Sequence, residues 1–325
     1  MIRLRFVFLA IFAAGLVAVQ ASKTQAQYRL EKHDGGVRVL EEGKLVADYL
    51  IRNGSKPIIW PLIGIAGERM TREYPMVADS KDEAHDHIHH RSLWFTQDEV
   101  NGVNFWAEGE KAGVTVHKDF TTLSDGKHAV IATVNAWNDP TGKTILTDAR
   151  RFTFGRGADY RWIDCEFEIR ASEVDLHFGD TKEGTFAVRV AESMRTDHKK
   201  KDPSKGGTIV NSEGQTDDSA WGKLAEWVDY HGPVNGKHEG IAILNHPTSY
   251  HFPTRWHVRT YGLFAANPFG YRGLRPNIPA TDGTKLAKGD KIALRYRVIL
   301  HSGDEKQGKI AERFAEFAKR EFKSL

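Results

Sequence analysis

Tyr160-Arg161-Trp162-Ile163-Asp164-Cys165-Glu166-Phe167-Glu168-Ile169-Arg170-Ala171 alternates without a break. Ile163, Cys165, Phe167 and Ile169 fall on one side, and Asp164, Glu166, Glu168 and Arg170 on the other. Period two with one apolar face is the pattern of a half-buried antiparallel strand. It recurs in Thr185–Ser193 through Phe186, Val188 and Val190, and in Lys291–His301 through Ile292, Leu294, Tyr296, Val298 and Leu300.

Further strands are expected at Val37–Leu40, Leu45–Ile51, Ile58–Ile65, Ala129–Trp137, Gly240–Asn245 and Arg255–Phe264. Turn chemistry separates them: Asp125-Gly126, Asp139-Pro140-Thr141-Gly142, Gly155–Gly157 and Asp282-Gly283. One amphipathic helix stands out near the C-terminus, where Ile310, Phe314, Phe317 and Ala318 recur at helical spacing between Glu and Lys. Many short strands and a single terminal helix predict an all-β fold, a large antiparallel sandwich or barrel. Lys199–Ser219 reads as a long polar loop between strands.

The first 26 residues read as a secretory leader, with Arg3 and Arg5 ahead of the apolar run Phe6–Val19 and small-residue cleavage sites at Ala21 or Ala26. Residues 27–325 are then expected to form one sandwich domain, periplasmic or secreted, with no membrane span after cleavage. Cleavage after Ala21 removes Arg3 and Arg5 and takes the formal charge from +3 to +1. A near-neutral chain without clustered cations lacks the footprint of a nucleic-acid binder. The lone cysteine, Cys165, excludes an internal disulfide and sits at a core-facing position.

Chemistry concentrates in three places. Four of the fifteen histidines lie in six residues of His85-Asp86-His87-Ile88-His89-His90, followed by Arg91-Ser92-Leu93-Trp94. Were this segment extended, His85, His87 and His89 would share one face, while Asp86, His90 and Ser92 shared the other. Imidazoles so placed suit acid–base catalysis, substrate contact or, through His87 and His89, a divalent metal. The second place is Arg255–Gly270, where a regular strand would align Arg255, His257, Arg259 and Tyr261 on one face to meet hydroxyls or a carboxylate. The third is Asp180 to Glu192: Asp180 and Glu183 are loop carboxylates, Glu192 continues the apolar phase of Phe186, Val188 and Val190, and Arg189 faces the other way. Tryptophans 94, 106, 221, 227 and 256 lie near these segments and suit stacking on sugar rings. No phosphate-binding glycine loop and no Ser-His-Asp or Cys-His arrangement is apparent.

The run Asp86–Phe95, Asn101–Trp106, Gly184–Glu192, the Asn245-His246-Pro247 step and Arg255–Gly270 together resemble the bacterial PmoA-like family. That family's usual label, methane oxygenase, belongs to an integral membrane protein with several spanning helices, and no such activity is carried over. The resemblance implies a secreted protein among carbohydrate-degrading functions, with an antiparallel supersandwich similar to galactose mutarotases. In such enzymes a histidine and a carboxylate exchange protons with a sugar. It implies His87, His90, Glu192 and His257 as catalytic candidates. His89, Arg91, Trp94, Asp180, Arg189, Arg255, Arg259 and Tyr261 are the candidate contacts to a small-molecule or oligosaccharide ligand. Three function classes follow: a sugar-directed enzyme working by epimerisation, elimination or hydrolysis, a carbohydrate-binding protein without turnover, and a metal-dependent enzyme on His87 and His89.

Overall fold

A computed structural model describes residues 27–325 apart from 203, 204 and 280, so the expected leader lies outside the described residues. The chain begins β1 (Tyr28–His33), β2 (Gly36–Glu41), β3 (Lys44–Asn53), β4 (Lys56–Leu62) and β5 (Leu93–Gln97). It continues through β6 (Val114–Ser124), β7 (Ala129–Asn138), β8 (Thr144–Arg156), β9 (Tyr160–Arg170), β10 (Leu176–Phe178) and β11 (Gly184–Arg189). Then come β12 (Thr208–Asn211), β13 (Trp227–Val234), β14 (Lys237–Asn245), β15 (Arg255–Val258) and β16 (Leu263–Asn267). β17 (Thr284–Leu286), β18 (Lys291–Ser302) and the helix α1 (Ile310–Phe317) complete it.

Two eight-stranded antiparallel sheets result. The first runs β1-β2-β3-β4-β5-β11-β16-β15 and the second β12-β13-β14-β18-β9-β8-β7-β6, with β10 and β17 as a separate pair. The alternating residues of the opening stretch explain why the sheets face each other. Cys165, Phe167 and Ile169 of β9 and Tyr296 and Val298 of β18 meet Phe95, Phe186, Val188 and Phe264 of the first sheet in one buried core. Phe95 stacks on Phe167 with ring centroids 3.9 Å apart. The antiparallel supersandwich with a C-terminal helix is therefore the fold. No helix among the described residues is long and apolar enough to cross a membrane.

The far face of β9 departs from the expected solvated edge. Asp164, Glu166 and Glu168 are all buried. The reason is the C-terminal segment, whose Ile310, Phe314 and Phe317 pack on Trp162, Trp227, Leu244 and Ile299. Asp164 accepts from its cross-strand neighbour Arg297 at 2.6 Å and also from Arg320 in the tail. Because Arg297 remains when Arg320 is removed, and Arg320 is about one-third exposed, Arg320→Ala is expected to cost no more than about 1 kcal/mol, read as a small fall in the thermal midpoint.

Two other expectations change. Lys199–Ser219 is not loop throughout, since it contains β12 and the 3-10 turn Asp217–Ala220. Arg255–Phe264 is not one strand but the hairpin β15–β16, closed at Arg259–Gly262. Gly262 makes that reversal possible: its φ of +97° is left-handed, and a Cβ there would sit 3.4 Å from Arg189 Nε.

Candidate functional site

The outward face of the first sheet carries the site. Antiparallel register lines up Ile58, Trp94, Ala187, Ala265 and His257 across β4, β5, β11, β16 and β15. These alternate with the core residues Phe95, Phe186 and Phe264, so they point away from the sandwich interior. Two alanines in the row leave a shallow floor, over which Trp94, Trp106 and Leu263 form a second apolar layer. Arg189, opposite Leu263, stands on the same face.

The histidine segment folds over this floor as a loop. It is not extended, and His87 has a left-handed φ of 43°, so the shared-face arrangement of His85, His87 and His89 does not arise. Arg72 is what shapes it. Its fully buried guanidinium donates to the carbonyls of Tyr74, Ala84, Asp86 and His87 and to the Asp86 carboxylate. His85 leaves the group altogether, donating to the Ser80 carbonyl and stacking on Tyr74.

Asp86 is the electrostatic centre. Arg72 and Arg189 both reach Oδ1, the latter at 3.0 Å, while His87 Nδ1 lies 2.9 Å from Oδ2. Burial alone would raise the carboxyl's pKa. The His87 hydrogen bond and the two guanidiniums outweigh it and hold Asp86 ionised, well below the ordinary carboxylate range. An ionised Oδ2 only accepts, so His87 donates through Nδ1 and keeps Nε2 as the acceptor nitrogen of a side chain that is 41% exposed. The imidazole is near-parallel to Tyr261 at 5.2 Å and to His90 at 4.7 Å.

His90 plays a different part. It is buried, stacks on Trp94 at 5.4 Å and accepts from Arg189 through Nδ1 at 3.1 Å, which puts its proton on Nε2. Burial, reinforced by His89 and Arg189, keeps it neutral. His89 stands edge-on to His87, His90 and Trp106. Burial and the Lys56 charge push its pKa down to about 4. No group of three His, Cys, Asp or Glu able to hold a metal occurs among the described residues.

His257 fixes the other end. Its Nδ1–H donates to the Lys182 carbonyl at 2.7 Å, leaving Nε2 unprotonated, and burial pushes its pKa down to about 3. Glu183 sits beside it, with Oε2 3.9 Å from His257 Nδ1. Burial is the main reason that the Glu183 carboxyl is raised, with Asp98 adding to it, while Lys182 and His87 pull the other way. Arg259 projects from the β15–β16 turn, its guanidinium over the rings of Trp221 at 5.4 Å and Tyr261 at 5.6 Å.

Several sequence candidates lie elsewhere. Glu192 does not continue the strand: β11 ends at Arg189, and Glu192 opens a 3-10 turn where Arg195 holds Oε1 at 2.6 Å. Asp180 accepts from the backbone of Tyr271, Arg272 and Gly273 and so ties down the loop before β17. Arg91 is bidentate on Glu108, with Asn53 completing its shell. Trp94 is floor rather than exposed platform, and Arg189 is fully buried behind Asp86. Arg255 shares a face with His257, but it bonds the Gly222 carbonyl and lines a separate open cavity of about 260 Å³ with Tyr271 and His251. Arg72 was not visible as a site residue in the sequence, since Arg72-Glu73 carries no motif; only the distance-independent rule that a buried charge must be paired would have pointed to Asp86.

A family of unknown function matches residues 36–315. No curated protein sequence matches the chain. Among solved structures, a glycoside hydrolase family 97 enzyme from Pseudoalteromonas sp. strain K8, in complex with acarbose, aligns at 12% identity and a TM-score of 0.33, over 85% of this chain and 34% of that one. The alpha-galactosidase from Lactobacillus brevis aligns at 11% identity and a TM-score of 0.40, over 89% and 41%. A galactose mutarotase related enzyme from Lactobacillus acidophilus aligns at 9% identity and a TM-score of 0.27, over 85% and 97%. The chain spans about a third of the length of the glycoside hydrolases it matches, and alignments this loose leave the chemistry to rest on the chain's own residues.

Proposed function

The chain belongs to that family, DUF6807, and since the family has no assigned function we propose from the site itself that it is a sugar-directed enzyme working by acid–base catalysis. The observation that carries this reading is the Asp86–His87 pair. A carboxylate locked by two buried arginines fixes one imidazole tautomer and leaves Nε2 free to accept a proton on a partly exposed side chain. That is the arrangement by which an orienting carboxylate prepares a general base.

His87 Nε2 takes a proton from the bound sugar. Glu183, whose raised pKa keeps its own proton to higher pH than a solvated carboxyl, supplies one to the departing or developing oxygen. His90 and Arg189 are positioning residues that hold the pair from beneath. The half-buried Tyr261 and Trp221 at the rim offer apolar edges to the C–H side of a sugar ring. The PmoA-like resemblance and the expected leader fit an exported protein acting on sugars, and export is part of the same proposal.

Purified protein incubated with a panel of glycosides and reducing sugars in D2O, followed by NMR, tests it. Turnover or solvent-deuterium uptake into one class of sugar, abolished in His87→Ala, is expected. Ligand binding with no exchange or turnover by the wild type would favour a binding protein instead. The role of Glu183 has its own signature. As pH rises through its raised pKa, Glu183 loses the proton that it donates, so activity falls on that limb. Glu183→Gln is expected to lower turnover by about 10²–10⁴ and to flatten that limb. A pH profile of the variant parallel to the wild type would remove Glu183 from the mechanism.

A further inference from the structure

Most cations around the site are matched to counter-charges; Arg255 bonds the Gly222 carbonyl and lines the separate cavity, and Arg259 has no such partner. Arg72 and Arg189 share Asp86, Arg91 holds Glu108, and Arg195 holds Glu192 and Asp197. Among the described residues, no hydrogen bond or ion pair reaches the Arg259 side chain, which is only partly buried. Its neighbours Trp221 and Tyr261 offer ring faces, not oxygens. A loop carboxylate beside the turn, Asp218, accepts from the Thr260 hydroxyl at 3.4 Å instead.

A guanidinium lying against aromatic rings is weakly hydrated and held in plane, with its N–H edges left free. Such a fork is preorganised for a bidentate oxyanion. The surroundings favour an incoming negative charge as well. Arg72, Arg189 and Arg259 outnumber the carboxylates Asp86 and Asp218, while Lys182 pairs with Glu183 at 3.6 Å and burial raises the Glu183 carboxyl. The fork also borders the reacting groups, because Tyr261 is a common wall: its ring stacks on His87 at 5.2 Å and lies under Arg259 at 5.6 Å.

We infer that Arg259 is the anchor for an acidic group on the ligand, so that the substrate class is an anionic sugar, bearing a uronate carboxylate or a sulfate ester, rather than a neutral one. This rests on the reading of the site as sugar-directed. Calorimetric titration compares trigalacturonate, its methyl ester and a sulfated trisaccharide, at low salt, against wild type, Arg259→Gln and Arg259→Lys. Wild type is expected to prefer one of the anionic probes over the ester by roughly tenfold to a hundredfold. The ratio should collapse towards one in Arg259→Gln and recover only partly in Arg259→Lys, whose ammonium lacks the fork.

Because the Arg259 side chain makes no hydrogen bond, both variants are expected to melt close to wild type. The anionic probe that wins names the group. An anion preference that persists in Arg259→Gln, or no preference at all, would overturn the inference. Turnover measured on the same samples separates the two readings. Anion-selective binding without turnover keeps the anchor and sinks the enzyme, and turnover of the neutral ester at equal affinity does the reverse.

Discussion

Asp86→Asn is expected to lower turnover by about three to four orders of magnitude and to leave the sandwich folded. The substitution keeps the shape of the side chain and removes its charge. An amide oxygen can still accept from one neighbour, but the amide nitrogen now faces a guanidinium or the His87 Nδ1–H, and one of these contacts becomes donor against donor. His87 then loses the partner that fixes its tautomer and its tilt between Tyr261 and His90. The loop itself should survive, because Arg72 keeps its four backbone carbonyls from Tyr74 to His87, and Arg189 keeps His90 Nδ1.

His87→Ala should fall as far, with part of the rate restored by added imidazole, since the side chain it lacks is an exposed one. Turnover of Asp86→Asn above a tenth of the wild-type rate would show that the carboxylate does not orient a base. Acid titration gives an independent check on Asp86. Its pKa is depressed in the folded state, so its contribution to stability is complete above the unfolded value near pH 4 and is lost only as pH falls through the lower folded value. Asp86 therefore keeps its charge through the neutral range.

What the sequence could and could not reveal about this site follows from the range over which each rule acts. Period two is local, and it set the phase of β11 correctly: Phe186 and Val188 face the core while Arg189 faces out. The same rule failed one step later, because nothing in Val190-Ala191-Glu192 marks where pairing stops, so Glu192 inherited a phase from a strand that had already ended at Arg189. It failed again at Arg255–Phe264, where Arg259-Thr260-Tyr261-Gly262 reverses the chain. Gly262 was the available signal, and the reversal brings Tyr261 and Arg259 beside His87 by a route that a straight strand would not give. The histidine loop was conspicuous by composition, yet its geometry depends on Arg72, 14 residues before Asp86, and on Arg189, 103 residues after it. Pairings that distant are set by tertiary packing and leave no local pattern to read.

The largest effect on stability is expected at a charge pair buried between the sheets, which no local pattern marks. Asp148 and Arg150 lie in phase with Leu146, Phe152 and Phe154 of β8 and so point between the sheets. Asp148 accepts from Arg150 Nε at 2.9 Å and from Arg150 Nη2 at 2.7 Å, and also from Asn135 and Trp137. Arg150 lies over Phe95, and both side chains of the pair are essentially inaccessible. Removing one partner strands the other in a medium that cannot solvate it. Asp148→Ala should therefore cost about 3–5 kcal/mol, a fall of roughly 5–8 °C in the midpoint of a chain this size, and would also orphan the Trp137 N–H.

Replacing both partners tests whether the pair itself stabilises the sandwich or is merely costly to break. Asp148→Leu/Arg150→Met removes two desolvated charges and puts apolar volume in their place, and a buried pair exchanged in this way is often neutral or stabilising. The double variant should therefore melt well above either single one, with a coupling that a double-mutant cycle reads directly. If the double variant instead falls as far as the sum of the singles, the network that ties β8 to Asn135 and Trp137 of β7 is what stabilises the fold, and its worth lies in hydrogen bonds that leucine and methionine cannot replace.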